Sequence, residues 1–109
     1  MKLNDYQDYA KNTALYPSDT WYDGLLYTVL GLNGEAGEVA EKVKKMLRDD
    51  LSLSECRVPI LNELGDVLWY VASVANELGC TLEDVAKMNI SKLNDRIARN
   101  VISGNGDTR

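Results

Sequence analysis

The sequence predicts an all-α protein built from four helices, and three observations carry that reading. Strand signals are few, and Phe is absent altogether. Apolar residues recur at three- and four-residue steps, the spacing of one helix face rather than of a strand. Capping patterns and turn residues then divide the chain into four such stretches.

The first helix is predicted from about Asn4 to Ala14. Asn4 followed by Gln7 reads as a capping box with Leu3 as its staple. Tyr6, Tyr9, Ala10 and Thr13 form its inward stripe, and Tyr16-Pro17 ends it. The second spans from near Trp21 to Arg48, on a core stripe of Leu32, Ala36, Val39, Val43 and Met46. Gly24, Gly31, Gly34 and Gly37 each disfavour a helix by roughly 1 kcal/mol relative to Ala. Two explanations stay open: a break between Gly31 and Gly34, or close approach of a neighbouring helix or a ligand. Asp49 to Arg57 reads as a polar connection. A third helix opens near Pro59, a residue favoured at a first helical position, and closes at the cap residue Gly79. Its stripe is Leu64, Val67, Val71, Val74 and Leu78. Thr81-Leu-Glu-Asp84 is the capping box of the fourth, which runs to about Asn100 on Leu82, Ala86, Ile90, Leu93 and Ile97. The tail from Ser103 to Arg109 is turn chemistry.

At 109 residues the chain is one domain, 1–109. A chain this short, with Leu, Val and Ile left on its outer helix faces, predicts a homo-oligomer that buries more apolar surface. Net charge is -5, with Asp+Glu 17 against Lys+Arg 12. That balance opposes nucleic-acid binding, which needs Lys and Arg against phosphates, and suits a protein that gathers carboxylates around a divalent cation. Histidine is absent, which removes Ser-His triads, Cys-His pairs, His-ligated zinc and the Glu-x-x-His di-iron bundle. Cys56 and Cys80 are too few for a disulfide framework and lack metal-site spacing, so a reducing cytoplasm is the expected setting. The N-terminus MKLNDYQDYA is polar and no apolar run reaches spanning length, so neither a signal peptide nor a membrane span is expected.

Two short patterns carry the chemistry: Glu35-Ala-Gly-Glu38 and Glu63-Leu-Gly-Asp66. Residues three apart sit on neighbouring turns, with Cβ atoms about 5–6 Å apart. Acids held that close repel, unless a hard cation such as Mg²⁺ takes oxygens from several of them. Each pair borders the core stripe of its helix, where packing two helices would bring all four acids together. Tyr70 shares the edge of Asp66. A single acidic pair is ordinary solvated surface; two matched pairs at core borders are not. On the fourth helix Asn89, Lys92 and Arg96 share one edge, where Lys offers a point charge and Arg a fork for phosphate oxygens. Lys42 is explained by i,i+4 pairing with Glu38. Trp21, Tyr22, Trp69 and Tyr70 are candidates for stacking on a nucleobase, and Gln7 could reach a base edge.

These blocks resemble those of MazG-like nucleotide pyrophosphohydrolases, in the all-α NTP pyrophosphatase group. The likeness rests on Glu35-x-x-Glu38 followed by Glu63-x-x-Asp66, and extends through Gly31 to Glu41, Glu63 to Tyr70 and Lys92 to Arg96. The ending Gly104-x-Gly-Asp-x-Arg109 fits too, so the chain reads as complete. The resemblance implies a four-helix core assembled as a homodimer or homotetramer. It implies hydrolysis of nucleoside triphosphates, deoxynucleotides or non-standard ones, to monophosphate and pyrophosphate by metal-activated water. Carried over, Glu35, Glu38, Glu63 and Asp66 are the Mg²⁺ ligands, with Mn²⁺ a substitute, and Asn89, Lys92 and Arg96 line the phosphate side. Asp107 and Arg109 would close over the site. Gly34 stands where some relatives carry a further acid, which leaves the general base unassigned. Two rivals stay open: a non-catalytic helical module that senses nucleotide or metal, and a carboxylate-bridged redox bundle.

Overall fold

The computed structural model describes all 109 residues, as four helices without strands: α1 Leu3–Asn12, α2 Asp23–Arg48, α3 Leu53–Glu77 and α4 Leu82–Ala98. None is long and apolar enough to cross a membrane. α2 and α3 form a long antiparallel hairpin in which Gly24 meets Glu77, Gly31 meets Tyr70 and Lys42 meets Glu63. α1 packs along α3, with the Trp69 indole N–H donating to Thr13 Oγ1 at 2.8 Å. α4 touches α1 and the end of α3 and makes no contact with α2.

α2 runs unbroken through its glycines, which corrects the suggested break. Close approach is the reason at two of them. A Cβ at Gly31 would stand 2.1 Å from Tyr70 Cε1, and one at Gly24 would meet the Glu77 carboxyl. Gly34 and Gly37 face open space within the chain. α3 begins earlier than Pro59 predicts. Ser52 caps it, accepting from the Glu55 N–H at 3.3 Å while its own N–H donates to Glu55 Oε2 at 2.8 Å. That reciprocal cap fixes the first turn, so Pro59 lies inside the helix and the expected polar connection is mostly helical.

The Asn4–Gln7 box is also reassigned. The N-cap of α1 is Lys2, whose N–H donates to Asp5 Oδ2 at 2.9 Å. Asn4 and Gln7 instead cap α4. Leu82 N–H donates to Gln7 Oε1 (2.7 Å), Glu83 N–H to Asn4 Oδ1 (3.2 Å) and Asp84 N–H to Thr81 Oγ1 (3.0 Å). All three leading amides of α4, which a helix cannot satisfy by itself, thus have acceptors. Gln7 is 4% exposed, and its Nε2 donates to Asn76 Oδ1 and Cys80 O, both at 2.8 Å. No group of its amide is left for a base edge.

The core at this junction is small: Ala10, Ala72, Ala75 and Leu82, with Tyr6, Trp69 and Val71 packed around it. Only 10 of 109 residues are buried, far fewer than a closed bundle would hide. The predicted stripes are correspondingly half covered. Of the α4 stripe only Leu82 is buried; Ile90, Leu93 and Ile97 are exposed, as are Leu64 of α3, Leu78 at its C-cap and Val43 of α2. The radius of gyration is 16.8 Å, against about 13 Å for a compact chain of this length. The reason is the direction of α4, which leaves the hairpin without a fourth helix against it.

Two stability measurements follow. Gly31→Ala drives a methyl into the Tyr70 ring, and overpacking of that kind should outweigh the helix-propensity gain and cost about 1–3 kcal/mol. Gly37→Ala, in open space, should not share that loss in thermal or urea unfolding. Gln7→Ala orphans Leu82 N–H, Asn76 and Cys80 O, and should lower stability by about 2 kcal/mol or more.

Candidate functional site

The antiparallel register of the hairpin sets Glu35 of α2 across from Glu63 and Asp66 of α3. One carboxylate oxygen from each lies within 4.8 Å of the other two. Glu35 and Glu63 are half-buried and Asp66 is exposed. Glu38, the fourth expected ligand, stands outside this group, although its charge reaches Glu35. Lys42 crosses the hairpin to Glu63, Nζ to Oε1 3.4 Å, rather than pairing with Glu38 one turn back. Lys44 and Lys45 are both taken by Glu41.

Partial burial, followed by the charges of Asp66, Glu63 and Glu38, pushes the Glu35 carboxyl above its ordinary range. With one ammonium against the cluster, the local charge is negative and the donors are all oxygen. Hard divalent cations take such a set, whereas zinc and copper favour nitrogen and sulfur. The residues therefore fit Mg²⁺ or Mn²⁺.

An aromatic wall stands one turn from the acids. Tyr70 packs edge-to-face on Trp69 with centroids 4.9 Å apart; Trp69 meets Tyr16 edge-on at 6.3 Å, and Tyr16 stacks on Tyr27 at 5.4 Å. Burial first, then the neighbouring Tyr27 phenol and the charges of Glu35 and Asp66, raise the Tyr70 hydroxyl above its usual value. It stays protonated, a hydrogen-bond donor beside the cluster. Tyr6 is likewise raised, by burial and by Asp66. Tyr6, Tyr16 and Tyr27 were not legible as site neighbours from helix wheels; the glycines of α2 were the one signal of close packing. Of the other stacking candidates, Trp21 is 87% exposed and its ring meets only that of Tyr22.

The cationic edge lies elsewhere. α4 makes no contact with α2, and Lys92 and Arg96 each pair with Asp107 rather than with any of the four acids. Asn89 and Lys92 line an open apolar groove with Leu78, Cys80, Val85 and Met88. Arg96 is 5% exposed and bonded to the C-terminal segment. Asp107 pairs with Arg96 of α4, and the Arg109 carbonyl accepts from Arg99 at the end of that helix, rather than either closing over the carboxylates.

The cluster has a measurable signature. Glu35 binds its proton more readily folded than unfolded, so when ionised at neutral pH it opposes folding, and that penalty fades as pH falls. Glu35→Gln should therefore raise metal-free stability at pH 7, by a margin that shrinks toward pH 4. Mg²⁺ at tenfold its Kd should stabilise the wild type by about 1.4 kcal/mol and the variant much less. An unchanged melting temperature with Mg²⁺ would count against a cation site.

The gene 37 protein of Mycobacterium phage L5 is 47% identical over 114 residues, which span 100% of both chains. The uncharacterized protein YvdC of Bacillus subtilis (strain 168) is 33% identical over 104 residues, 88% of this chain and 96% of its own. No solved structure shows a significant match. A family model, the MazG nucleotide pyrophosphohydrolase domain, matches residues 24–100, which contain the hairpin, all four acids and the cationic edge of α4. The chain belongs to the MazG family of nucleotide pyrophosphohydrolases, all-helical enzymes that its own fold matches.

Proposed function

We propose that this single domain hydrolyses deoxynucleoside or non-standard nucleoside triphosphates to monophosphate and pyrophosphate in the cytoplasm, using Mg²⁺, at a site completed by a second copy of the chain. The observation that carries the reading is the convergence of Glu35, Glu63 and Asp66 from two helices. Glu35, Glu63 and Asp66 would hold the cation, with Glu38 joining them and Mn²⁺ able to replace Mg²⁺. Bound there, the cation supplies charge neutralisation for the triphosphate and makes water more acidic. The chain's own residues do the remaining work. Lys42 orients Glu63 across the hairpin, and the Tyr70 hydroxyl beside the acids is available as a hydrogen-bond donor. Trp69 and Tyr70 offer ring faces and edges to a base. Asn89 and Lys92 meet the phosphates, and Arg96 supports that end.

The second copy enters for two reasons. Lys92 pairs with Asp107 and with none of the four acids, and α4 makes no contact with α2, yet phosphoryl chemistry needs cations and metal around one phosphate group. The exposed Leu61, Leu64 and Leu68 of α3 and Ile90, Leu93 and Ile97 of α4 form apolar stripes at helical spacing, the kind of surface that marks an association site. A homodimer or homotetramer covers them and lets α4 of one copy approach the hairpin of another.

Product analysis tests the chemistry. Purified protein, incubated with a panel of ribo- and deoxynucleoside triphosphates, should release monophosphate and pyrophosphate with Mg²⁺ and nothing with excess chelator. Asp66→Asn should lose at least on the order of a hundredfold in kcat/KM with its helices intact. Binding without turnover would instead support a nucleotide-sensing module. Mixing and re-associating Asp66→Asn with Lys92→Ala should restore activity, toward about a quarter of wild type for random dimers. No restoration would show that each chain uses its own Lys92, or none.

A further inference from the structure

The C-terminal segment is folded, not trailing. It reverses direction through Asn100 (φ 57°), Gly104 (φ 143°) and Gly106 (φ 80°), backbone conformations that suit Asn and Gly. Arg109 closes it, donating to Ile102 O at 3.2 Å and to Gly106 O, while Arg99 Nη2 donates to Arg109 O at 2.7 Å. Gly104 leaves room for this, since a Cβ there would lie 2.9 Å from Arg109 Cδ.

One helix side chain receives the folded segment. Arg96 Nη2 donates to the main-chain oxygens of Asp107 (3.0 Å) and Gly106 (3.4 Å), with Asp107 Oδ1 further off at 3.5 Å. Its side chain is only 6% exposed, and its Nε is buried without a partner. One turn back, Lys92 is 45% exposed, and its Nζ has one charged neighbour, Asp107 Oδ1 at 3.6 Å.

An arginine reads phosphate through parallel N–H groups presented to solvent. Arg96 presents little: its Nη2 is committed to two carbonyls, its Nε is buried, and the side chain as a whole is 6% exposed. Lys92 is accessible, but on a long flexible stem that gains directional value only when something fixes its head. Asp107 is placed to do that, and it is placed by Arg96.

We propose that Arg96 is a positioning residue: it docks the C-terminal segment by its main-chain carbonyls, so that Asp107 fixes the Lys92 ammonium, and Lys92 rather than Arg96 meets the phosphate. This rests on the assignment of Lys92 to the phosphate end made above. Asp107 is then part of the site without touching substrate, and residues 101–109 are a functional element.

The test uses Arg96→Gln, Asp107→Asn and the double variant in the full chain, with two readouts. Backbone order parameters of residues 102–108 should fall below about 0.6 in Arg96→Gln and stay near the rigid value in Asp107→Asn, whose carbonyl bonds to Arg96 persist. With nucleoside triphosphate and Mg²⁺, each single variant should lose on the order of tenfold in kcat/KM, mostly through KM. The double variant should lose about the same tenfold rather than a hundredfold, because both changes break one chain of contacts. Losses that multiply would make Arg96 a direct ligand and overturn the proposal. So would tighter binding in Asp107→Asn, which would make the carboxylate a competitor of phosphate, or an ordered tail in Arg96→Gln. Should the wild type turn over no nucleotide, the proposed function fails, while the order parameters still decide whether Arg96 docks the tail.

Discussion

A buried side-chain amide sets the direction of α4 and, through it, the shape of the molecule. Gln7 joins α1 to the end of α3 through Asn76 and Cys80, and holds the first amide of α4 through Leu82. A buried amide with its partners satisfied strongly favours one geometry, because any other leaves polar groups dry and unpaired. The geometry chosen points α4 away from α2. The open shape and the uncovered apolar stripes both descend from that choice.

The same residue shows where sequence reading stops. Asn4 and Gln7 have capping-box identities and spacing, but the helix they cap lies far along the chain, and spacing alone cannot say whose amides a side chain will meet. The four helices themselves were legible, in order and with most ends close, because periodicity and caps are local. The start of α3 was misread because Pro59 is the more conspicuous signal, while the cap formed by Ser52 and Glu55 is ordinary in composition. The helix wheels placed Glu35, Glu63 and Asp66 correctly on facing edges. They could not tell that Glu38 would stay outside the cluster or that Lys42 would cross to Glu63, since a wheel gives azimuth and not the reach of a rotamer. The wheels also could not say that the α4 stripe would stay open, because an apolar face looks the same whether its own chain or another covers it.

The carboxylate cluster and the small core bear on one another. Like charges at the border of a half-covered hairpin work against folding, and only Lys42 offsets them within the chain. Such a site is a local cost that a stable scaffold must carry. Here the scaffold is held by caps and a polar joint as much as by apolar burial, which suits a chain whose larger apolar surfaces remain available for association.

The contact between Gly31 and Tyr70 has a mechanical consequence. With no Cβ on one side and a flat ring on the other, α2 and α3 rest against each other across the thickness of an aromatic, one turn from Glu35 and Asp66. Repulsion between the acids would widen the hairpin if its spacing were soft, as it would be with mobile aliphatic chains in between. A rigid ring seated on bare backbone acts as a gauge block. The gap between the carboxylates is therefore set by the shape of a neighbour, and changes of charge at the site alter its energy more than its dimensions.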